Sequence, residues 1–178
     1  MIKIVPYDSS WPAQFETEAG AILKALGSAA LRIEHVGSTS VPGLAAKPII
    51  DIQVSVASLE ALVLYSESLA RLGYTHVPLG DFDRVYPFFQ KPARWPSTHH
   101  IHLCVVGDEQ ESRHLAFRDY LRNHPEVAAE YARLKRGLAA AHDGRSLASR
   151  ERYSLAKTDF ITSVLERAPA ARYPHPGE

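Results

Sequence analysis

The sequence predicts an α/β (α+β) fold, a mixed β-sheet flanked by helices with a helical part at its C-terminal end. Three observations predict it. Runs rich in β-branched residues alternate with helical stripes through residues 1–106. The best of those runs show a period of two, the mark of a strand with two distinct faces. From residue 108 onward the pattern is helical.

The elements follow in order. "SSWPAQFETEAGAILKAL" offers Ser9 and Ser10 as N-caps and Pro12 in the first turn, then sets Phe15, Ala19, Ile22, Leu23 and Leu26 at helical spacing. "LRIEHV" and "PIIDIQVSV" read as strands; in the second, Ile50, Ile52 and Val54 face one way and Asp51 and Gln53 the other. "ASLEALVLYSESLARLG" predicts a helix ending at Gly73. After it come a short strand at "YTHV", a turn at "PLGDFD", a strand at "RVYPFFQK" and a loop at "PARWPST". "HHIHLCVV" alternates, with Ile101, Leu103 and Val105 on one face and His100, His102 and Cys104 on the other. Helices are expected near 109–123, 125–142 and 149–167, broken by Pro125 and by "HDGRS". The chain thus divides into a sheet core over 1–106, a helical part over 107–168 and a loose tail over 169–178. The helical stripes cannot be buried by themselves, so the helical part should pack on the sheet as one compact domain.

Bulk composition narrows the function. Twenty Lys and Arg balance twenty Asp and Glu, so no whole-molecule field favours long nucleic acid or a membrane, and an anion must be gripped by a local cluster. Cys104 is the sole cysteine, which excludes an intramolecular disulfide and a multi-cysteine zinc site. The N-terminus lacks a basic region followed by a long apolar run. A cytoplasmic protein is expected.

The chemistry concentrates in "HVGSTSVPGLAAKPIIDIQV". A Gly-Ser turn after one strand, with a carboxylate on the next, can hold a phosphate on backbone amides and a hydroxyl while the carboxylate holds a neutralising cation. The plainer alternative is a strand aspartate bonded to neighbouring amides. "IEHVGSTSVPGLAAKPIIDIQV" resembles the signature of the GrpB family, and "FRDYLRNHPEVAAEYARLK" with "YSLAKTDFI" resembles that family's C-terminal part. The resemblance runs from Val5 to Ala168. That family is similar in fold to the nucleotidyltransferase superfamily, whose pattern is a Gly-Ser turn, a strand with two carboxylates one residue apart, and a third carboxylate on a later strand.

The resemblance implies a phosphate-binding turn at Gly37, Ser38 and Thr39, and Asp51 as the first, catalytic and metal-binding carboxylate. Gln53 stands at the second carboxylate's position, and "HHIHL" offers His100 and His102 in place of the third. Mg²⁺ prefers oxygen ligands, whereas Mn²⁺ or Zn²⁺ accepts one carboxylate with histidines. Implied also are a nucleoside triphosphate or other phosphorylated small molecule as partner, a tyrosine and lysine of the helical part, Tyr153 and Lys157, holding its phosphates, and nucleotidyl transfer to a small acceptor. The alternative is a catalytically inactive nucleotide- or ligand-binding accessory module, and a metal-dependent hydrolase using Asp51, His100 and His102 is a third reading.

Several residues admit two readings each. Lys157 shares a helical stripe with Tyr153, Phe160, Ile161 and Val164, so it must snorkel or find an anion. Lys47, before Pro48, either reaches phosphate from the loop edge or is solvated. Arg84, at the start of its strand, either clamps an anion or pairs with Asp81 and Asp83. "DFD" reads as a turn more than as a carboxylate pair. His35 and Cys104 read as core residues, Arg118 and Lys135 as structural, and Trp95 as stacking on a base or covering the pocket mouth.

Overall fold

The computed structural model describes residues 1–168; the tail expected over 169–178 lies outside the described residues. Five strands form one sheet in the order β1-β2-β5-β4-β3: β1 Arg32–Val36, β2 Ile50–Val56, β3 Thr75–Val77, β4 Phe88–Lys91 and β5 His99–Val105. β2 and β5 run parallel at its centre, and every other pair is antiparallel. The sheet is therefore mixed, with Asp51 opposite His100 and Gln53 opposite His102. Since side chains alternate along each strand, all four point to the same face.

The other face is apolar. Ile50, Ile52, Val54, Ile101 and Leu103 bury there against Trp11 and Ile22 of α1 (Trp11–Leu26) and Leu69 of α2 (Leu62–Ala70). Each such side chain contributes about 1.5–3 kcal/mol on burial. An Ile52→Ala cavity at this wholly buried position would cost about 2–5 kcal/mol.

The polar face is covered by helices from the second half: α3 Glu109–Asn123, α4 Pro125–Ala141, α5 Leu147–Leu155 and α6 Thr158–Arg167. α3 lies against β1 and β5. Leu121 of α3, Tyr131 of α4 and Val164 of α6 form a second apolar cluster with Val41, Leu44 and Ala45 of the loop between β1 and β2. That loop is held between sheet and helices, so the helical part fixes the Gly-Ser turn at its start.

Three elements differ from expectation. Residues 57–61 stay outside α2, with the Glu60 amide donating to Ser58 Oγ at 3.2 Å instead of entering a helix. The strand expected from Arg84 begins at Phe88, because residues 80–84 form a 3₁₀ turn and the Val85 and Tyr86 amides donate back to the Phe82 carbonyl at 3.0 and 2.6 Å. Asp83 accepts from the Leu79 amide at 3.1 Å, so "DFD" is a turn. The single helix expected over 149–167 is two, since the Lys157 amide reaches back three residues to the Ser154 carbonyl at 3.3 Å and α6 restarts at Thr158.

Candidate functional site

The polar face opens into a cleft of about 440 Å³ between the sheet and the helical part. Its first wall is the turn after β1. Val36 pairs with Asp51 in the antiparallel ladder, so Gly37 lies directly over the carboxylate. Gly37 has φ +67°, and a Cβ there would stand 2.5 Å from Oδ2 of Asp51. Only glycine supplies both the conformation and the space.

Residues 38–40 form one 3₁₀ turn, closed by the Ser40 amide donating to the Gly37 carbonyl at 3.3 Å, and Gly37, Ser38 and Thr39 line the cleft. Thr39 spends its hydroxyl elsewhere, donating to the Ile49 carbonyl at 3.0 Å and meeting His35 Nε2 at 3.0 Å. His35 stacks on Phe15 with ring centres 4.8 Å apart, and burial lowers its pKa to about 4, so it is a neutral core residue. Behind the turn, Arg122 donates from Nε and Nη2 to the Ser40 carbonyl at 3.1 and 2.9 Å. Arg118 donates to Glu34 at 2.6 Å and to the His35 carbonyl at 3.2 Å, a structural role.

Asp51 forms the floor. Its Oδ1 accepts from His100 Nδ1 at 3.1 Å and from His102 Nε2 at 3.4 Å. Burial pushes this carboxyl up, but the bonds and charge of the two imidazoles outweigh it and hold the group well below the ordinary carboxylate range. Asp51 is thus a fixed acceptor and counter-charge, and a weak base. Gln53 is wholly buried and accepts from His114 Nδ1 at 3.1 Å. Burial lowers His114 to about 4, so it is neutral.

The loop between β1 and β2 supplies one cation, Lys47, and the helical part supplies Lys135 and Lys157. Lys47 and Lys157 stand over the Tyr153 ring at 4.9 and 4.7 Å from its centre, and Lys47 also lies 5.8 Å from the Trp95 ring centre. Lys135 donates to the Ala45 carbonyl at 2.6 Å and stands over Tyr131 at 4.6 Å. Burial lowers all three lysines, Lys135 to about 7 and Lys157 to about 8, with nearby cations adding to it, Arg150 at Lys47 and Lys47 at the other two, and Asp51 opposing it. Tyr153 Oη is buried without a hydrogen-bond partner among the described residues.

Gly37, Ser38, Thr39, Lys47, Asp51, His100, His102, Tyr153 and Lys157 all line this cleft. Arg84 does not: it is exposed at the end of the 80–84 turn. Trp95 is outside the lining and carries Arg150 over its ring at 5.0 Å. Lys135, read from the sequence as structural, and His114, which the sequence did not single out, also line the cleft. Lys135 was legible in principle, because it follows the buried Tyr131 by one helical turn and raises the same question as Lys157. Cys104 is buried beside Ser55, and burial raises its thiol to about 12, so it is no nucleophile.

The metal expected at Asp51, His100 and His102 does not fit this donor set. The three residues meet, but the ring nitrogens nearest Asp51 are bonded to its carboxylate, so a cation there would have to displace those contacts and their protons. Among the described residues no group of three or more His, Cys, Asp or Glu is arranged to hold a metal ion. No helix among them is long and apolar enough to cross a membrane.

Comparison with known proteins agrees with this architecture. The crystal structure of conserved protein GrpB from Enterococcus faecalis superposes with a TM-score of 0.78 at 38% identity, covering 93% of this chain and 98% of that one. Cid1 poly(U) polymerase, in a structure described with Mg 3'-dATP bound, superposes with a TM-score of 0.53 at 15% identity, over 80% of this chain and 45% of that one. This second likeness establishes a nucleotidyltransferase-like fold. UPF0157 protein YqkA of Bacillus subtilis is 39% identical over 94% of this chain, which spans 47% of that relative's length. The family described as GrpB protein matches residues 1–167, so the chain belongs to the GrpB family.

Proposed function

We propose that the cleft binds a nucleoside triphosphate, or a phosphorylated small molecule like it, by its phosphates. The observation that carries this is the convergence of Lys47, Lys135 and Lys157 on a cleft whose other wall is the Gly37-Ser38 turn. Buried lysines with lowered pKa values are held at a cost that an incoming anion removes. Tyr153 Oη offers one more donor, and Phe88, Phe117, Ile161 and Leu165 give the same cleft an apolar side suited to a base. The shared fold with a poly(U) polymerase is consistent with a nucleotide partner.

Two uses of a bound nucleotide remain distinct. In transfer, an acceptor oxygen attacks the α-phosphorus, the bond to the bridging oxygen breaks, and pyrophosphate leaves with that electron pair. Binding without turnover, as an accessory module, is the reading that Gln53 favours. The next residue on the Asp51 face, two positions on, is this buried amide bonded to His114, so it supplies no charge to the cleft. Asp51 is also too weak a base to take an acceptor's proton readily.

Calorimetric titration of the four common nucleoside triphosphates into the wild type and Lys157→Ala tests the reading, together with a pyrophosphate-release assay. Binding is expected, weakened about tenfold or more by loss of one charge-assisted contact, with no pyrophosphate release. No binding of any triphosphate overturns the nucleotide site. Steady pyrophosphate release by the wild type selects the transferase over the accessory module.

A further inference from the structure

We infer that the cleft takes its phosphorylated ligand in the metal-free form, with the three lysines supplying the neutralisation that divalent cations give in two-metal transfer. This rests on the reading that phosphates bind here, and it deepens that reading by naming the ionic form of the ligand.

The first ground is the donor set. A hard divalent cation wants oxygen ligands in near-octahedral array, at least one or two of them from carboxylates. Asp51 is the only carboxylate lining the cleft among the described residues. Its Oδ1 is occupied by two imidazole donors, at 3.1 and 3.4 Å. Its Oδ2 lies against the Gly37 backbone, so closely that a Cβ on that residue would stand at 2.5 Å. Oδ1 thus already carries two bonds, and the space beside Oδ2 is narrowed by the turn, whereas a bridging carboxylate in a two-metal site serves two cations at once. The strand position two residues on, which could add a second carboxylate to the same face, carries Gln53, wholly buried and turned to His114.

The second ground is charge. Lys47, Arg113, Lys135 and Lys157 line the cleft against that single carboxylate. Such a field already attracts a polyphosphate and opposes entry of a free divalent cation. A metal chelated to the phosphates would also cancel much of the ligand charge that the lysines are placed to meet. In a metal-assisted site the protein contributes acids to hold the metal; here it contributes ammonium groups to replace it.

Asp51 then has the opposite sign of effect from a metal ligand. It sits near the phosphates as an anion, restrained by His100 and His102, and its removal should strengthen binding of a metal-free ligand. In a metal-assisted site its removal weakens binding. The two modes therefore separate on one substitution.

The test is calorimetric titration of ATP, and separately of inorganic tripolyphosphate, into the full chain, in EDTA and in excess Mg²⁺. Wild type and Asp51→Asn are compared, and Mn²⁺ alone is titrated with detection of the bound ion by electron paramagnetic resonance. The expected result is binding in EDTA at least as tight as in Mg²⁺, tightening in Asp51→Asn, and no bound Mn²⁺ signal. Affinity that rises severalfold with Mg²⁺, or that falls in Asp51→Asn, overturns metal-free binding while leaving the nucleotide site in place. A stoichiometric Mn²⁺ site lost in Asp51→Asn overturns it as well. Absence of binding in both buffers removes the phosphate reading and this inference together.

Discussion

The backbone of Gly37 rests on the carboxylate of Asp51: a Cβ at residue 37 would stand 2.5 Å from Oδ2, at a residue held at φ +67°. This contact joins the turn to the strand, because Val36 and Asp51 are ladder partners and the chain must fold over the carboxylate as it leaves β1. Position and conformation both demand glycine.

Gly37→Ala is therefore expected to lower stability and to abolish phosphate binding. The left-handed conformation alone costs about 1–2 kcal/mol in an L-residue, and the turn must also move off Asp51. For a chain of this size that corresponds to a fall of roughly 2–8 °C in Tm. Thermal unfolding with and without ATP checks it. An unchanged Tm would mean that the turn is free to shift, contrary to the packing.

Arg122 should act on the same turn from behind, as a positioning residue. Its two donors on the Ser40 carbonyl fix the end of the 3₁₀ turn whose start faces the cleft. Arg122→Lys keeps the charge but loses the paired geometry. Ligand affinity should fall severalfold while Tm drops by a few degrees at most, since one net hydrogen bond is worth about 1 kcal/mol. A fall in Tm with unchanged affinity would reduce Arg122 to a structural tie.

Much of this site was legible in the sequence for a definite reason. A period of two fixes which strand residues share a face, so Asp51, His100 and His102 could be assigned together before their register was known. Lys157 stood out because a lysine on a buried helical stripe needs an explanation. What escaped depends on long-range packing. His114 meets Gln53 only because α3 crosses the polar face of the sheet, and nothing in either segment announces the other. Arg84 was placed in the site by reading a strand through Val85 and Tyr86, whose amides are instead committed to the preceding turn. The break between α5 and α6 is a similar case, as no proline or glycine marks it.

Affinity for a phosphate ligand should depend on pH through Lys135 and Lys157. In the empty cleft their pKa values fall to about 7 and about 8, chiefly by burial, with Lys157, Lys47 and Arg136 opposing the charged form of Lys135, Lys47 that of Lys157, and Asp51 favouring it in both. An anion binds the protonated forms, so it raises both values and takes up protons. Affinity is thus expected to be highest below about pH 7 and to fall as pH rises through both values, provided the ligand's own ionisation is matched. Calorimetry in buffers of differing ionisation enthalpy measures the uptake directly near pH 7.5. No proton uptake there would show that the lysines remain charged in the empty cleft.

Gln53→Glu tests the wiring of the buried amide to His114. In the wild type, His114 falls from an unfolded value of 6.5 to about 4, so the unfolded state binds more protons between those values. Stability from this residue is complete above pH 6.5 and is lost as pH falls toward 4, a swing on the order of 3 kcal/mol. A carboxylate 3.1 Å from Nδ1 would favour the imidazolium and lift the His114 pKa. The acid loss should then shrink or reverse in the variant. Its stability above pH 7 should fall, because a neutral histidine leaves the buried carboxylate without a charge partner. Urea unfolding at pH 5 and pH 7.5 measures both arms, and NMR titration of His114 gives the pKa itself. His35, also lowered to about 4, contributes equally to the two proteins and cancels in the difference. An unmoved His114 resonance, with parallel stability curves, would show that Gln53 and His114 are not in contact in solution.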